Sequence, residues 1–220
     1  MEKRRIIFGT YNTALHDWTL TGWNLAPAEQ KTQYLDKLNG DGSWDFSTVL
    51  SDGVLRYRDR ELTASFECSE GDRMSREAKI RHMVNTLDGM KLEIRLPDDA
   101  DHYLVGRLHV IREYNDLAHA AVTVEAVCEP WKYSNSETVV EVTASATAQT
   151  ITLHNSGRRA IVPQLTVTGG SISLKYENNT TTATTATKMW PALLLTPGTH
   201  GLEYSGSGTI TFKYREAVLE

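Results

Sequence analysis

A serine beside two glycines, a knot of aspartates with a histidine, and a scatter of carboxylates are the groups here that could do chemistry. Gly169-Gly170-Ser171-Ile172-Ser173 approaches the nucleophile-elbow pattern, in which a strained strand-to-helix turn exposes a serine hydroxyl. The closing glycine is missing, and the segment lies between two alternating runs rather than before a helix. Asp98, Asp99, Asp101 and His102 offer oxygen and imidazole ligands to a cation. The segment lacks the loop glycine and distal glutamate of an EF-hand, and acidic residues favour turns because they bond back to their own backbone. Asp41, Asp45 and Asp52 could supply the carboxylate pair of glycoside hydrolysis, although nothing in the sequence sets their separation. Trp190 with Tyr176 and Tyr204 could form an aromatic platform for a sugar ring, or simply a core.

Those fragments do not add up to a catalytic constellation. The sequence has no phosphate-binding GxxxxGK, no GxGxxG after a strand, no HExxH and no CxxC. Its seven histidines, among them His16, His82, His102 and His109, fall at no ligand spacing. The reading is a non-enzyme with no catalytic residues, no metal and no cofactor. Cys68 and Cys128, each at the end of a strand pattern, read as two buried reduced thiols, with a disulfide left open. Asn178-Asn179-Thr180 and Asn179-Thr180-Thr181 match the glycosylation acceptor pattern, a chance match in a polar loop.

The composition is that of a folded chain: 220 residues, 40% hydrophobic and 23% charged. A net charge of -5 gives no footprint for nucleic acid, which needs clustered Lys and Arg to displace counterions. The one basic run, Lys3-Arg4-Arg5, is short and precedes Ile6-Ile7-Phe8, which reads as a first strand. That apolar run is too short for a secretory segment, and no run approaches ~20 apolar residues, so no membrane partner is expected.

The elements that must position any site are mostly strands. One helix is expected over Arg76 to Asp88. Ile80, Met83, Val84 and Leu87 form its buried stripe, Ser75 caps it, Glu77 pairs with Arg81, and Gly89 ends it. Its polar face, Arg76, Lys79 and Arg81, reads as solvated. Strands are expected at Glu61–Phe66, Lys91–Leu96, Leu104–Tyr114 and Ala118–Val127, with a turn at Pro97–Asp101. Near Glu129 the composition turns to Thr, Ser, Gly and Val, and Glu129–Ser136 reads as a linker. Beyond it, strands are expected at 138–143, 150–154, 161–168, 171–176, 192–195, 202–204 and 209–214. Gly169-Gly170 looks like a two-residue hairpin turn, Pro197-Gly198 like a further turn, and 179–187 like an exposed loop or edge. The fold class is therefore mainly β (α+β). Residues 1–132 form a β-rich domain with one helix, and residues 133–220 form a small sandwich.

Several ordered motifs carry a resemblance. Thr10-Tyr11-Asn12 leads to Trp18 and Leu20, then to Leu25-Ala26-Pro27 and Lys31-Thr32. Next comes Leu38-Asn39-Gly40-Asp41-Gly42-Ser43-Trp44-Asp45-Phe46-Ser47, then Tyr57, Arg60, Leu62 and Phe66. Cys128-Glu129-Pro130-Trp131 closes the first part. Leu153–Gly157, Val162–Gly169, Leu195–Leu202 and Thr209–Arg215 follow in the second. Together these resemble the distal tail proteins (Dit) of long-tailed bacteriophages and prophages, a siphovirus-type tail component family, over nearly the whole chain.

The resemblance implies a ring-forming tail-hub domain followed by a galectin-like sandwich whose last segments form a closing hairpin. It implies a structural role in the virion tail tip (baseplate hub), in a protein made in the host bacterial cytoplasm. A homo-hexameric ring would join the tail tube protein to the tail-associated (tail spike/lysin) protein and to receptor-binding proteins. It marks Gly40, Asp41, Gly42, Asp45 and Arg60 as a turn that is either structural or an assembly contact. A carbohydrate-binding module using Trp190, Tyr176 and Tyr204 on a host cell-wall glycan is the alternative.

Overall fold

The structure is a computed structural model that describes residues 4–49, 51 and 53–220. The chain falls into two compact units, Met1–Lys132 and Tyr133–Glu220.

In the first unit the strands are β1 (Ile7–Phe8), β2 (Tyr11–Asn12), β3 (Thr19–Leu25), β4 (Tyr34–Asp36), β5 (Ser43–Asp45), β6 (Arg60–Cys68), β7 (Lys91–Arg95), β8 (His102–Asn115) and β9 (Ala120–Cys128). A 3-10 turn spans Thr13–His16 and helix α1 spans Arg73–Leu87. The main sheet runs β2-β1-β7-β8-β9-β6-β3, antiparallel throughout. Its inward residues alternate as a period-two pattern requires. Leu62, Ala64 and Phe66 of β6 line up with Ala126, Val124 and Val122 of β9, and all are buried with Ile80, Met83 and Leu87 of α1.

The helix begins a turn earlier than its apolar stripe suggests. Asp72, not Ser75, is the cap: its carboxylate accepts from the Ser75 N–H at 2.7 Å. Gly89 does end the helix, at φ +74, and its N–H donates to the Leu108 carbonyl of β8. Glu77 pairs not with Arg81 but with Arg112 on β8, through two contacts of 2.7 Å. Arg76 is not solvated. It is 2% exposed, and its guanidinium donates to the carbonyls of Gly71, Asp116 and Leu117. It stands four residues before Ile80 on the same buried stripe, where a charge is tolerated because carbonyls surround it.

The second unit follows β10 (Lys132–Ser134) with β11 (Thr138–Ala144), β12 (Gln149–Asn155), β13 (Gln164–Thr168), β14 (Ser171–Tyr176), β15 (Asn179–Thr184), β16 (Thr187–Met189), β17 (Gly198–Gly206), β18 (Gly208–Tyr214) and β19 (Ala217–Val218). Two four-stranded sheets, β11-β18-β13-β16 and β12-β17-β14-β15, form a β-sandwich. Leu153, Leu165, Ile172, Leu174, Leu202, Ile210 and Phe212 fill it. Residues 192–195, expected as a strand, form a turn with one bridge, Ile161 to Leu195.

Gly169-Gly170 is not a hairpin. β13 and β14 lie in different sheets, so the glycine pair is a corner where the chain crosses the sandwich. β17 and β18 also lie in different sheets, which removes the expected closing hairpin and makes Gly206-Ser207-Gly208 a second corner. The two corners press together: a Cβ on Gly170 would sit 2.2 Å from the Ser207 carbonyl oxygen. Glycine is required there by close backbone approach. The true hairpin turn is Glu177-Asn178, between β14 and β15.

Candidate assembly surface

Between Pro27 and Asp59 the first unit sends out a segment none of whose described residues joins its core. Where it leaves the sheet, the backbone is held in a ladder. Ala26 N–H donates to Glu61 O, Arg58 N–H to Glu29 O and Lys31 N–H to Arg56 O, each at 2.8 Å. Gln30 bridges Tyr57, whose ring meets Trp131 edge-on at 5.4 Å. Arg60 anchors this base. It is 2% exposed, and its Nε donates to the Ala26 carbonyl at 2.7 Å. The segment is thus an arm with a stiff root.

Further out, β4 and β5 form a small separate sheet, with Tyr34 opposite Asp45, Leu35 opposite Trp44 and Asp36 opposite Ser43. Local polar bonds hold its register. Ser43 Oγ donates to Asp36 at 2.7 Å, and Ser47 N–H donates to Asp45 Oδ1 at 2.8 Å. The Ser47 hydroxyl in turn accepts from Gln33 N–H at 2.9 Å. The hydrogen bonds from Ser47 hold the Asp45 carboxyl below its usual range. Leu38, Asn39, Gly40 and Asp41 make the tip. Gly42 takes φ +78, a left-handed conformation glycine adopts without strain, while Gly40 does not.

So Gly40, Asp41 and Gly42 lie at the tip of the arm, Asp45 sits opposite Tyr34 at the inner end of the β4–β5 ladder, and Arg60 sits at the arm's root. Asp45 is turned to its own backbone, as a turn residue, not toward Asp41 as an acid pair; Asp52 lies outside the described residues, as does Lys3. What sequence reasoning missed is the arm's exposed apolar set. Tyr34, Leu35, Leu38, Trp44, Phe46, Val49 and Val54 are each at least 40% exposed, and Leu38 is 99% exposed. The Lys37 ammonium, 5.0 Å from the Trp44 ring centroid, partly covers one of them.

The other candidates disperse. Asp99 is shared between His102 Nδ1 at 3.0 Å and Lys132 Nζ at 3.1 Å, and Asp98 faces Arg4 at 3.7 Å, so this cluster carries its own cations. Burial alone would raise the Asp99 pKa; the bonds from His102 and Lys132 outweigh it and bring the carboxyl below its usual range. Ser171 opens β14 at the glycine corner, with no helix after it. Trp190, Tyr176 and Tyr204 are core residues, each 6–8% exposed, and the Tyr176 hydroxyl is bonded to His200 Nδ1 at 2.8 Å. A sugar stacks on an open ring face, and these rings present none. Cys68 and Cys128 are both free thiols. The β6–β9 register puts them at opposite ends of the ladder, roughly 26 Å apart at strand spacing, beyond any disulfide.

No family model matches the sequence, and no curated protein matches it. The fold does have a counterpart among solved structures. The chain is similar to the crystal structure of "SPP1 Dit (gp 19.1) Protein", described as a paradigm of hub adsorption apparatus in phages infecting Gram-positive bacteria. The TM-score is 0.69 at 12% identity, and the match covers 97% of this chain and 99% of that one. The fold is that of SPP1 Dit. Both units of the chain are included in the match, so the Dit fold accounts for the helix-bearing sheet and the sandwich alike.

Proposed function

We propose that this chain is a structural hub protein of a phage tail tip, acting by assembly rather than turnover. In this reading, copies close into a homo-hexameric ring in the virion. The ring joins the tail tube protein to the tail-associated spike or lysin protein and, through the sandwich, to receptor-binding proteins. The whole-chain likeness to SPP1 Dit supports the class of protein. The observation that carries the assembly role is the arm. Seven large apolar side chains within it are at least 40% exposed. At about 150–250 Å² for a buried aromatic, they offer on the order of 800 Å² in all. The largest apolar patch on an ordinary monomer is roughly 300–600 Å², whereas about 800 Å² per partner is what a specific interface buries. A heterologous contact, arm onto the body of the next copy, is the kind that closes into a ring.

Negative-stain electron microscopy of the purified protein, alone and with its tail partners, tests this. Six-fold rings support it. Monomers at high concentration that also fail to engage any tail protein would overturn it.

A further inference from the structure

Beneath α1, away from the arm, a lysine points at a buried cysteine. Cys68 ends β6 and is 1% exposed. Lys79, one turn and a half into α1, keeps only 23% of its side chain exposed. Its Nζ lies 3.8 Å from Cys68 Sγ and 2.7 Å from Asp17 Oδ2. A lysine on an outer helix face would ordinarily place its ammonium in water; here the ammonium bridges a thiol and a carboxylate. A third group converges. Tyr11 is 4% exposed, and its buried hydroxyl, beside the Trp18 side chain, stands close enough to Cys68 to interact electrostatically. Tyr11, Asp17 and Lys79 line one cleft of about 350 Å³, with Leu15, His16 and His82, which opens a path from solvent to Nζ.

We propose that Cys68 and Lys79 form a modification site, where oxidation by a peroxide gives a covalent, thiol-reversible sulfur–nitrogen link between β6 and α1. In the first step hydrogen peroxide takes two electrons from sulfur, and thiol plus peroxide become the sulfenic acid and one water. Asp17 then accepts a proton from the Lys79 ammonium. The freed amine attacks sulfur, the S–O bond breaks and the S–N bond forms. The departing hydroxide takes one of the two amine protons and leaves as a second water, so the linked nitrogen keeps one hydrogen. Sulfenic acids condense with a backbone nitrogen to form a sulfenamide, and the Lys79 amine takes the place of that nitrogen here. Burial pushes the Tyr11 hydroxyl up to about 12, so it stays protonated and can donate to the departing oxygen. Burial works against the charge on Lys79, but its bond to Asp17 prevails and holds the ammonium, so the link should form faster as pH rises.

The test is peptide mapping of the full-length protein after hydrogen peroxide in thiol-free buffer, with and without later dithiothreitol. The expected product is the Cys68 peptide joined to the Lys79 peptide, with a mass equal to their sum less two hydrogens, lost on reduction. Lys79→Arg keeps the ion pair with Asp17 but cannot condense. It should give no link and instead a Cys68 sulfenic acid trapped by dimedone. Wild-type protein in which Cys68 stays reduced, or in which dimedone traps Cys68 with no link to Lys79, overturns the proposal.

Discussion

Replacing Leu38 by Asp and Trp44 by Ser in one variant separates an arm that serves assembly from an arm that serves the fold. Leu38 is 99% exposed and Trp44 58% exposed, and neither touches either core. Surface substitutions of this kind change stability by about 0.5 kcal/mol or less, and the part of Trp44 that is covered adds about 1 kcal/mol at most. The melting temperature should therefore fall by no more than about 5 °C. In a ring the same two side chains are buried against the next copy. A fully buried leucine contributes about 1.5–3 kcal/mol, and a central interface tryptophan about 2 kcal/mol or more. Losing some 4 kcal/mol per contact weakens each one by a factor of about 10³. Sedimentation velocity across a concentration series reads the assembly, and circular dichroism melting reads the fold. Rings that persist unchanged in the variant would refute the assembly role. So would a melting temperature lowered by more than about 10 °C, because the arm would then be part of the fold.

Three further outcomes follow from the geometry. Arg60→Met keeps volume but leaves the Ala26 carbonyl without its donor; a loss of about 1–3 kcal/mol is expected, with limited proteolysis shifting to sites between residues 27 and 59. Gly170→Val places a side chain where a Cβ already sits 2.2 Å from the Ser207 carbonyl oxygen, so the sandwich should lose more than about 3 kcal/mol, read as a lowered unfolding midpoint in urea. Glu77 (hydrogen bonds from Asn115, then Arg112), Asp88 (Val110 N–H, then His109) and Asp116 (His119 and Ala118 N–H), together with Asp99, all have folded-state pKa values below their ordinary ones. Depressed carboxyls stabilise above their unfolded pKa and lose that contribution as pH falls through the folded one. Stability of the first unit should thus be flat near neutrality and drop below about pH 4, with Asp88→Asn flattening that limb in pH-dependent urea titrations.

Much of the fold was legible because alternation and helical spacing are local. β6, β7, β8 and β9 lie close to where period-two patterns put them, and Ile80, Met83 and Leu87 face the core as their spacing requires. What stayed hidden depends on distant chain. Asp72 and Ser75 are both good caps, and only the packed helix chooses between them. Arg76 read as solvated, and nothing marked Arg60 as buried, because the carbonyls that receive them, Ala26, Asp116 and Leu117, come from elsewhere in the sequence. Gly169-Gly170 has hairpin composition, but the corner at Ser207 that dictates it lies far along the chain. The candidate turn Gly40 to Asp45 was visible as a turn. That it sits on an arm was not, because Tyr34, Leu35, Trp44 and Phe46 look like core strand residues, yet none of them joins either core cluster.

The sandwich corners bear on how the second unit is made. Of the links from β11 to β18, all but β14 to β15 cross from one sheet to the other, so successive strands along the chain are almost never partners. β11 pairs with β18, and Thr138 finds its register opposite Tyr214 only when almost the whole unit exists. At synthesis rates of about 5–20 residues per second, that strand emerges several seconds before its partner. Its exposed Val139, and Val140 and Val142 that pack on the core, wait unpaired through that interval. Such non-local pairing slows folding. The sandwich is therefore an all-or-none element, whose first strand is a template for misassociation until its last long strand arrives.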